Sequence, residues 1–306
     1  MTPLASSHDL PSKSQNNAAS RVTTYPLPYA SIENEYLRVD YLTTIGPRII
    51  GLYAKGVEGN LLAETPQVHW HTPYGEYYLH GGHRLWVAPE DPRYICPEPP
   101  VRAIAEKDGV ILQSEVDASG VQKEISFQLD QNCVKLTQRV TWHGKEPVEL
   151  APWAITQLRL GGVAILPQPG SDGLLPNRNL VFWPYSHVDE TRLELHDDLI
   201  LVHGQAAEQA LKIGNYNSHG WVAYLLGNAL FVKRFSVEPM RGQPDMGCNV
   251  EAYVRDICIE LETLGSLRTL QPKETMAYEE IWEVTTREYS TTLEDARIIS
   301  RQLSLK

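Results

Sequence analysis

Apolar and polar residues alternate in short runs along most of the chain. The runs are rich in Val, Ile, Tyr, Trp and Thr, and Gly, Pro, Asn and Asp stand between them. Examples are LRVDYL, GPRIIGLYA, GVILQSEV, KEISFQLD, CVKLTQRVTW, LVFWPY, GWVAYLL, ALFVKRF and ICIELETL. Many short strands at this spacing predict an all-β antiparallel sandwich or barrel rather than a βαβ fold. No fixed-period repeat supports a propeller.

One segment near the end of the chain has the helical period instead. In TTLEDARIISRQL, Thr291 stands three residues before Glu294, which is the spacing of a capping box. Ala296, Ile299 and Leu303 follow at the spacing of one helix face. The pattern predicts a helix over 291–303 that packs on the outside of the sheets.

Composition divides the chain into three parts. Residues 1–24 are rich in Ser, Asn and Ala and have few large apolar groups, which predicts a disordered tail. Residues 25–288 predict a single β domain, and residues 289–306 contain the helix. Within the domain, residues 166–179 (LPQPGSDGLLPNRN) form a long loop that fits a surface connection or a lid over a site.

The overall composition excludes several classes of protein. The chain has 306 residues, 42% of them hydrophobic, and a net charge of −11, with no Lys/Arg run that would bind a nucleic acid. The four cysteines have no CxxC spacing, which favours reduced thiols over a disulfide framework or a zinc site. Neither a secretion signal nor a membrane-spanning apolar stretch is present. We therefore expect a soluble cytoplasmic protein with no membrane partner. Its oligomeric state does not follow from the sequence.

The segment HWHTPYGEYYLHGGH has the spacing of metal ligands. On a strand, His69 and His71 point to the same face, and Glu76 follows five residues later, as in the first half of a cupin metal motif. His83 occupies the place of the glycine that ends that motif, and no partner motif with a further histidine follows. Because a metal needs three or four convergent ligands, a cupin-like metalloprotein built on these four residues is the least favoured alternative.

The glycine pair Gly81–Gly82 suggests a different use for the same segment. Glycine permits positive φ and leaves room for another backbone or a ligand to approach closely. A tryptophan that follows offers its flat face to a sugar ring, or else packs in the core. The neighbouring histidines are candidate acid or base groups, and the charged side chains are hydrogen-bonding groups. The candidate site residues here are His80, His83, Arg84, Trp86 and Glu90.

Two carboxylates occur on one face of a predicted late strand, DICIELETLG. Cys258, Glu260 and Glu262 alternate with the apolar residues of the other face. If both carboxylates were buried and ionised they would repel each other. Either that face is open to solvent, or one carboxyl has a raised pKa. A carboxylate on a rigid strand facing a polar cavity is a credible general base.

The loop just upstream of this strand, PDMGCNVEAYV, is acidic and carries an amide. Asp245, Asn249 and Glu251 fit the role of turn formers, and they also fit that of groups that bind hydroxyls.

Several stretches together resemble galactose mutarotase-like (aldose 1-epimerase-like) proteins. The opening NEYLRVDYLTTIGPRIIGLYAKGVEGNLL is similar to that family's first strands, and LHGGHRLW is similar to its His-Gly-Gly stretch followed by Trp. The closing CIELETLGSLRTLQPKETMAYEEIWEV resembles the family's catalytic glutamate strand and final strands. GWVAYLLGNALFVKRF and PDMGCNVEAYV look most like an uncharacterised branch of the superfamily. The resemblance covers about residues 30–285 and consists of order and spacing.

This resemblance implies a β-supersandwich with a sugar site on its concave face. It implies that Glu260, or next Glu262, is the catalytic base, that His80 lines the pocket, and that no cofactor is needed. The family's acid is a histidine on a mid-chain strand, but the corresponding LAPWAITQLRL has none and carries Trp153 or Thr156 there. His80, His83 or Lys212 then remains as the acid. The expected partner is a small carbohydrate, which the protein either epimerises or binds without chemistry.

Overall fold

The computed structural model describes residues 25–170 and 173–305. It confirms the all-β antiparallel sandwich with a short C-terminal helix. The tail predicted over 1–24 lies outside the described residues, and the division into three parts remains a prediction. In the described part, none of the helices is long and apolar enough to cross a membrane.

Most of the described chain is β-structure made of short strands. In chain order they are β1 (Tyr29–Glu33), β2 (Leu37–Leu42), β3 (Arg48–Ala54), β4 (Glu64–Thr72), β5 (Gly75–Gly81), β6 (His83–Ala88), β7 (Val101–Glu106), β8 (Gly109–Ser114), β9 (Val121–Asp130), β10 (Cys133–Trp142), β11 (Val148–Leu158), β12 (Val163–Pro167), β13 (Val181–Phe182), β14 (Leu193–Leu195), β15 (Leu199–His203), β16 (Leu211–Asn215), β17 (Trp221–Leu226), β18 (Ala229–Phe235), β19 (Val250–Val254), β20 (Ile259–Leu264), β21 (Arg268–Leu270) and β22 (Thr275–Thr286). Helical turns occur at Pro92–Tyr94 and Pro244–Gly247, and a longer helix spans Leu293–Ser304.

These strands form two ten-stranded antiparallel sheets. The first sheet has the order β1-β2-β3-β6-β11-β20-β19-β16-β13, with β21 paired to one end of β11. The second has the order β14-β15-β12-β17-β18-β22-β10-β9-β8-β7. The main apolar core lies between the sheets, where residues from the inward faces of both are packed. β4 and β5 form a separate two-stranded hairpin that pairs with neither large sheet.

The C-terminal helix packs on the outside of the second sheet, as the sequence predicts. Ala296, Ile299 and Leu303 are buried against outward-facing residues of β12, β15, β17 and β18. The capping residue differs by one position from the prediction, because it is Thr292, not Thr291, whose hydroxyl accepts a hydrogen bond from the Asp295 amide. Thr292 has the extended backbone that an N-cap requires.

The central strands of the first sheet position the candidate site. β6, β11, β20, β19 and β16 are consecutive neighbours, and each is antiparallel to the next. Because side chains alternate along a strand, every second residue of each strand points away from the main core. The outward-pointing residues of five adjacent strands therefore lie side by side on one face.

Candidate functional site

The strand register brings distant residues into neighbouring rows on this face. In one row Arg84 of β6 lies opposite Ile155, which lies opposite Glu262, which lies opposite Glu251. In the next row Gln157 lies opposite Glu260, followed by Tyr253 and Lys212. Trp86 and Trp153 form a third pair. Residues separated by more than a hundred positions in the chain thus share one surface because of sheet order alone.

This surface is the floor of a cleft. Six of the residues predicted for the site line the cleft: Arg84, Trp86, Glu90, Trp153, Lys212 and Glu260. The cleft, with its open mouth included, has a volume of about 550 Å³.

Glu260 is the buried carboxyl at the centre of the cleft. Its Oε1 accepts a hydrogen bond from Gln157 Nε2 at 2.7 Å and faces Arg84 Nη2 at 3.4 Å. Burial raises the pKa of Glu260, and the charge of Arg84 opposes that rise only in part. The sequence offered an exposed face or a raised pKa for this carboxylate pair. The face is buried, and the raised pKa is found at Glu260.

Glu262 has a different environment from Glu260. Its Oε2 accepts hydrogen bonds from Trp153 Nε1 at 2.7 Å and from Lys212 Nζ at 3.0 Å. Lys212 also contacts Glu251 at 2.7 Å and lies over the rings of Trp153 and Trp183. Burial alone would lower the pKa of Lys212, but the two carboxylates outweigh it and hold that pKa well above its ordinary value. Glu262 therefore neutralises a lysine.

Aromatic rings form one wall of the cleft. Trp70, Trp86 and Trp153 line the cleft, and the ring of Tyr77, which does not line it, connects Trp70 to Trp86; successive centroids are 4.7 to 6.1 Å apart. Trp70 and Leu79 belong to the β4–β5 hairpin and point into the cleft from above. Trp86 is thus a cleft residue that also packs on its neighbours, which joins the two roles that the sequence left open.

Several buried polar atoms on this face have no hydrogen-bond partner among the described residues. They are the donors Arg84 Nε, Arg84 Nη1 and Trp86 Nε1 and the acceptors Gln157 Oε1 and Glu262 Oε1. A buried polar group without a partner costs free energy, and native proteins keep such groups mainly where they have a use. Donors and acceptors are both present, which suits a ligand whose groups donate and accept.

The two histidines beside the glycine pair do not line the cleft. His83 is fully buried between the sheets, where its ring nitrogens contact Thr156 Oγ1 at 2.9 Å and Gln138 Oε1 at 3.0 Å. His80 lies on the opposite face of β5 from Leu79, stacked on Tyr78, and burial lowers the pKa of His80 to about 4. The expected convergence on one concave surface thus includes Arg84, Trp86 and Glu260 but leaves out His80.

Gly81 and Gly82 are approached by backbone. Their φ angles are +89° and +71°, in the region that favours glycine. A Cβ on Gly81 would meet the Ala63 carbonyl oxygen at 2.1 Å, and one on Gly82 would meet that of Ile49 at 2.0 Å. Of the two possibilities in the sequence, close packing of another strand is the one observed.

The cupin-like arrangement is not formed. His69 and His71 are exposed on the hairpin, where both Nδ1 atoms contact the Glu76 carboxylate at 2.9 and 3.1 Å, while His83 lies in the core. Both rings are exposed because the face of the hairpin that carries them points to solvent. Within residues 25–170 and 173–305, no group of three or more His, Cys, Asp or Glu is placed to hold a metal ion.

The acidic loop contributes less to the cleft than its composition suggested. Asn249 exchanges hydrogen bonds with the backbone of Asn217 at 2.7 and 3.0 Å and so fixes a turn. Asp245 adopts φ +47° in the turn Pro244–Gly247, and burial raises the pKa of its carboxyl, which faces Glu251 behind Lys212. Neither residue lines the cleft. The described residues of the 166–179 loop do not line it either, and Leu174 and Leu175 are exposed, as in a surface connection.

Sequence reasoning missed several cleft residues. Gln157, the partner of Glu260, lies in the mid-chain strand that has no histidine. The other missed residues that line the cleft are Trp70, Leu79, Ile155, Tyr253, Ile257 and Cys258. A signal for Gln157 is present in the sequence, because alternation places this glutamine on the same face as Trp153 and Ile155.

Comparison with known proteins identifies the fold. No model of a known protein family matches the chain, and no curated protein matches its sequence. Among solved structures, a galactose mutarotase-like protein from Lactobacillus casei is 11% identical and has a TM-score of 0.53, with 84% of this chain and 100% of that one covered. A Salmonella typhimurium protein provisionally named a mutarotase is 12% identical, with 84% and 90% covered and a TM-score of 0.55. An Escherichia coli K12 protein provisionally named an aldose 1-epimerase is 12% identical, with 85% and 99% covered and a TM-score of 0.52.

The architecture is therefore the galactose mutarotase-like sandwich, as the resemblance in the sequence implied. Identities this low show the fold alone. What the cleft binds or transforms has to be inferred from its own residues.

Proposed function

We propose that this protein binds a monosaccharide in the cleft and interconverts its anomers, with Glu260 as the general base. The observation that carries the proposal is the buried Glu260 carboxyl, whose raised pKa and single strong hydrogen bond from Gln157 suit it to exchange a proton. Support comes from the fold, which is that of proteins named for mutarotation.

The cleft offers both kinds of contact that a sugar needs. The rings of Trp86 and Trp153 present flat apolar faces to the C–H groups of a pyranose ring. Arg84 Nε and Trp86 Nε1 donate, and Gln157 Oε1 accepts. A hydroxyl both donates and accepts, so these groups pair with a polyol.

The charges of the cleft favour an uncharged sugar over a phosphorylated one. Lys212 is already neutralised by Glu251 and Glu262, and Arg84 faces Glu260. A phosphate group would bring about two further negative charges to a cleft in which Lys212 and Arg84 each already face a carboxylate. The net charge of −11 adds to this unfavourable field.

Anomer exchange requires two proton transfers. Glu260 takes the proton of the anomeric hydroxyl while the bond between the anomeric carbon and the ring oxygen breaks, and the ring oxygen takes a proton from an acid. The open-chain aldehyde then closes on its other face. Of the acids suggested by the sequence, Lys212 is the one that lines the cleft. Its strongly raised pKa makes it a weak acid and a firm hydrogen-bond donor to the ring oxygen.

That weak acid supports a second candidate function. A protein that binds the sugar without accelerating exchange would keep Arg84, Trp86 and Trp153 and would not need a proton donor matched to neutral pH. The absence of a histidine among the residues that line the cleft in the described part of the chain favours this reading.

Exchange spectroscopy by NMR separates the two functions. Wild-type protein is mixed with a panel of aldoses and their 6-phosphates, and binding and anomer exchange are measured for each. We expect an uncharged aldose to bind and to exchange faster than in buffer, and Glu260→Gln to lose about 10²–10⁴-fold of that rate with nearly unchanged affinity. Glu279→Gln, an exposed carboxylate on the second sheet, is the matched control. If a sugar binds but exchanges no faster than in buffer, the protein is a sugar-binding protein. If no sugar of the panel binds, both functions are rejected.

A further inference from the structure

The core behind the floor of the cleft contains an unusual set of buried polar residues, which come from both sheets. Lys233 of β18 and Glu280 of β22 lie on neighbouring strands of the second sheet, and their side chains, both fully buried, form an ion pair at 3.1 Å. Gln138 of the adjacent β10 donates to Glu280 Oε2 at 3.2 Å. Facing them from the first sheet are His83, Thr156 and Thr263. A buried ion pair stabilises poorly compared with apolar packing, so its presence in a sandwich core needs a reason.

The donors and acceptors of this network can be assigned starting from the Glu280 carboxylate, which only accepts. The Glu280 carboxylate accepts from Thr263 Oγ1 and from the Gln138 amide nitrogen. Gln138 therefore presents its oxygen to His83 Nε2 at 3.0 Å, so that this nitrogen carries the proton. His83 Nδ1 then accepts from Thr156 Oγ1 at 2.9 Å. Burial lowers the pKa of His83 far below its ordinary value, so the ring stays neutral in this one tautomer.

Lys233 connects the network to the two strands that carry the cleft carboxyl and its partner. Its Nζ donates to the Ala154 carbonyl of β11 at 2.8 Å and to the Leu261 carbonyl of β20 at 3.2 Å. In the pairing of β11 with β20, Thr156 lies opposite Leu261, and the next pair is Gln157 and Glu260, whose side chains are on the cleft face. The lysine thus ties β11 to β20 within one to three residues of their contact in the cleft.

We propose that Lys233 and Glu280 are positioning residues, which fix the spacing of β11 and β20 and thereby hold Gln157 against Glu260. Neither residue touches the cleft. The inference concerns the site of the proposed function, but the Gln157–Glu260 contact can be followed without any sugar.

The test is a titration of Glu260 in glutamate-labelled protein by carboxyl ¹³C NMR, assigned with Glu260→Gln. The Gln157 hydrogen bond lowers the pKa of Glu260, so loss of that contact must raise it. The variant is the double substitution Lys233→Met with Glu280→Gln, which removes the ion pair without leaving one charge buried alone. We expect its Glu260 midpoint to move to higher pH by about 0.5 or more, in the same direction as in Gln157→Met, where the bond is removed directly.

These variants do not substitute the other charged and titratable groups around Glu260. They are Arg84, Lys212, Tyr253, Cys258 and Glu262. Val232→Ala, next to Lys233 but packed under the C-terminal helix, is the control for general loosening. An unchanged Glu260 midpoint in the double variant, or an equal shift in Val232→Ala, would overturn the proposal.

Two further measurements guard against an uninformative variant. If the double variant does not fold, Lys233→Arg keeps the charge that pairs with Glu280 but changes the donor geometry toward the Ala154 and Leu261 carbonyls, and it should shift the Glu260 midpoint upward by a smaller amount. No shift in that variant would contradict the proposal. Where anomer exchange is measurable, kcat should fall about tenfold in the double variant while sugar affinity stays within about twofold. The titration tests the positioning role of Lys233 and Glu280 even if the protein has no exchange activity.

Discussion

The two sides of the first sheet border regions that carry similar residues in opposite states. In the core between the sheets (the core face), Lys233, Glu280 and Gln138 of the second sheet and His83 of the first are buried, and each of their polar side-chain groups contacts another. On the cleft face Arg84, Trp86 and Gln157 are buried to nearly the same degree, yet each has a polar atom without a partner in the described structure.

The difference shows how to separate support from function in a polar protein interior. A completed network gains its hydrogen bonds on folding and resists change, whereas an incomplete one keeps a cost that a ligand can remove. Residue type did not make this distinction, since histidine is a frequent catalytic group and here His83 is locked in the core. The comparison predicts that substitutions on the core face reduce stability and that those on the cleft face reduce ligand binding.

The largest expected effect is on the core face. Lys233→Met alone leaves the Glu280 carboxylate buried without its cation, and we expect the free energy of unfolding to fall by about 3–5 kcal/mol. Urea denaturation followed by tryptophan fluorescence measures this change. Lys135→Met, which removes an exposed pair with Asp130, is the control and should have almost no effect. A loss of stability below about 1 kcal/mol for Lys233→Met would contradict the prediction that substitutions in the completed core network reduce stability.

On the cleft face, Arg84→Met should change binding more than stability. Its guanidinium has two unpartnered nitrogens for a ligand, so its removal should weaken binding of the sugar found in the panel by about 10–100-fold. Isothermal titration calorimetry provides the affinities. Arg93→Met, an exposed arginine that pairs with Asp91, is the matched control and should bind like wild type. Equal sugar affinity in Arg84→Met and wild type would show that the sugar does not bind at the cleft face.

The pH dependence of stability should reveal Glu260 on its own. Its folded-state pKa is raised above the ordinary value of 4.5, so in the window just above pH 4.5 the unfolded chain loses this proton before the folded protein does. Stability therefore falls as pH rises through that window, until the folded group also ionises. Glu260→Gln cannot titrate and should show a shallower fall. Urea midpoints collected every half pH unit compare the two proteins, and parallel curves would show that Glu260 has an ordinary pKa.

The smallest effect is expected on the hairpin. Glu76→Gln breaks the contacts with the exposed His69 and His71, and solvent replaces them at little cost. We expect no measurable change in Tm and no metal in wild type or variant after dialysis, as judged by plasma mass spectrometry. A stoichiometric metal lost in Glu76→Gln would revive the cupin-like reading.

The sequence by itself determined many of the strands, the all-β antiparallel class and the C-terminal helix, and the resemblance to a known family favoured the sandwich over a barrel. Period-two alternation and turn residues are local signals, and β2 was read with its observed ends at Leu37 and Leu42. It also identified the face of β20 that carries Glu260 and Glu262, because alternation fixes which side chains share a side. The cap at Thr292 and the short extent of β13 within LVFWPY were missed, since the ends of an element depend on its neighbours.

Only the tertiary structure decided which polar residues meet. Glu260 faces Gln157 and not Glu262, and Lys212 joins Glu262 to Glu251, because of the order β11-β20-β19-β16. Sheet order is set by the packing of the whole chain and leaves no mark in the spacing of a single motif. The same holds for His80 and His83, since the side of a strand that becomes cleft or core depends on what the second sheet and the β4–β5 hairpin cover. Burial and hydrogen-bond completion are properties of the folded assembly, and they separated the cleft residues from the supporting ones.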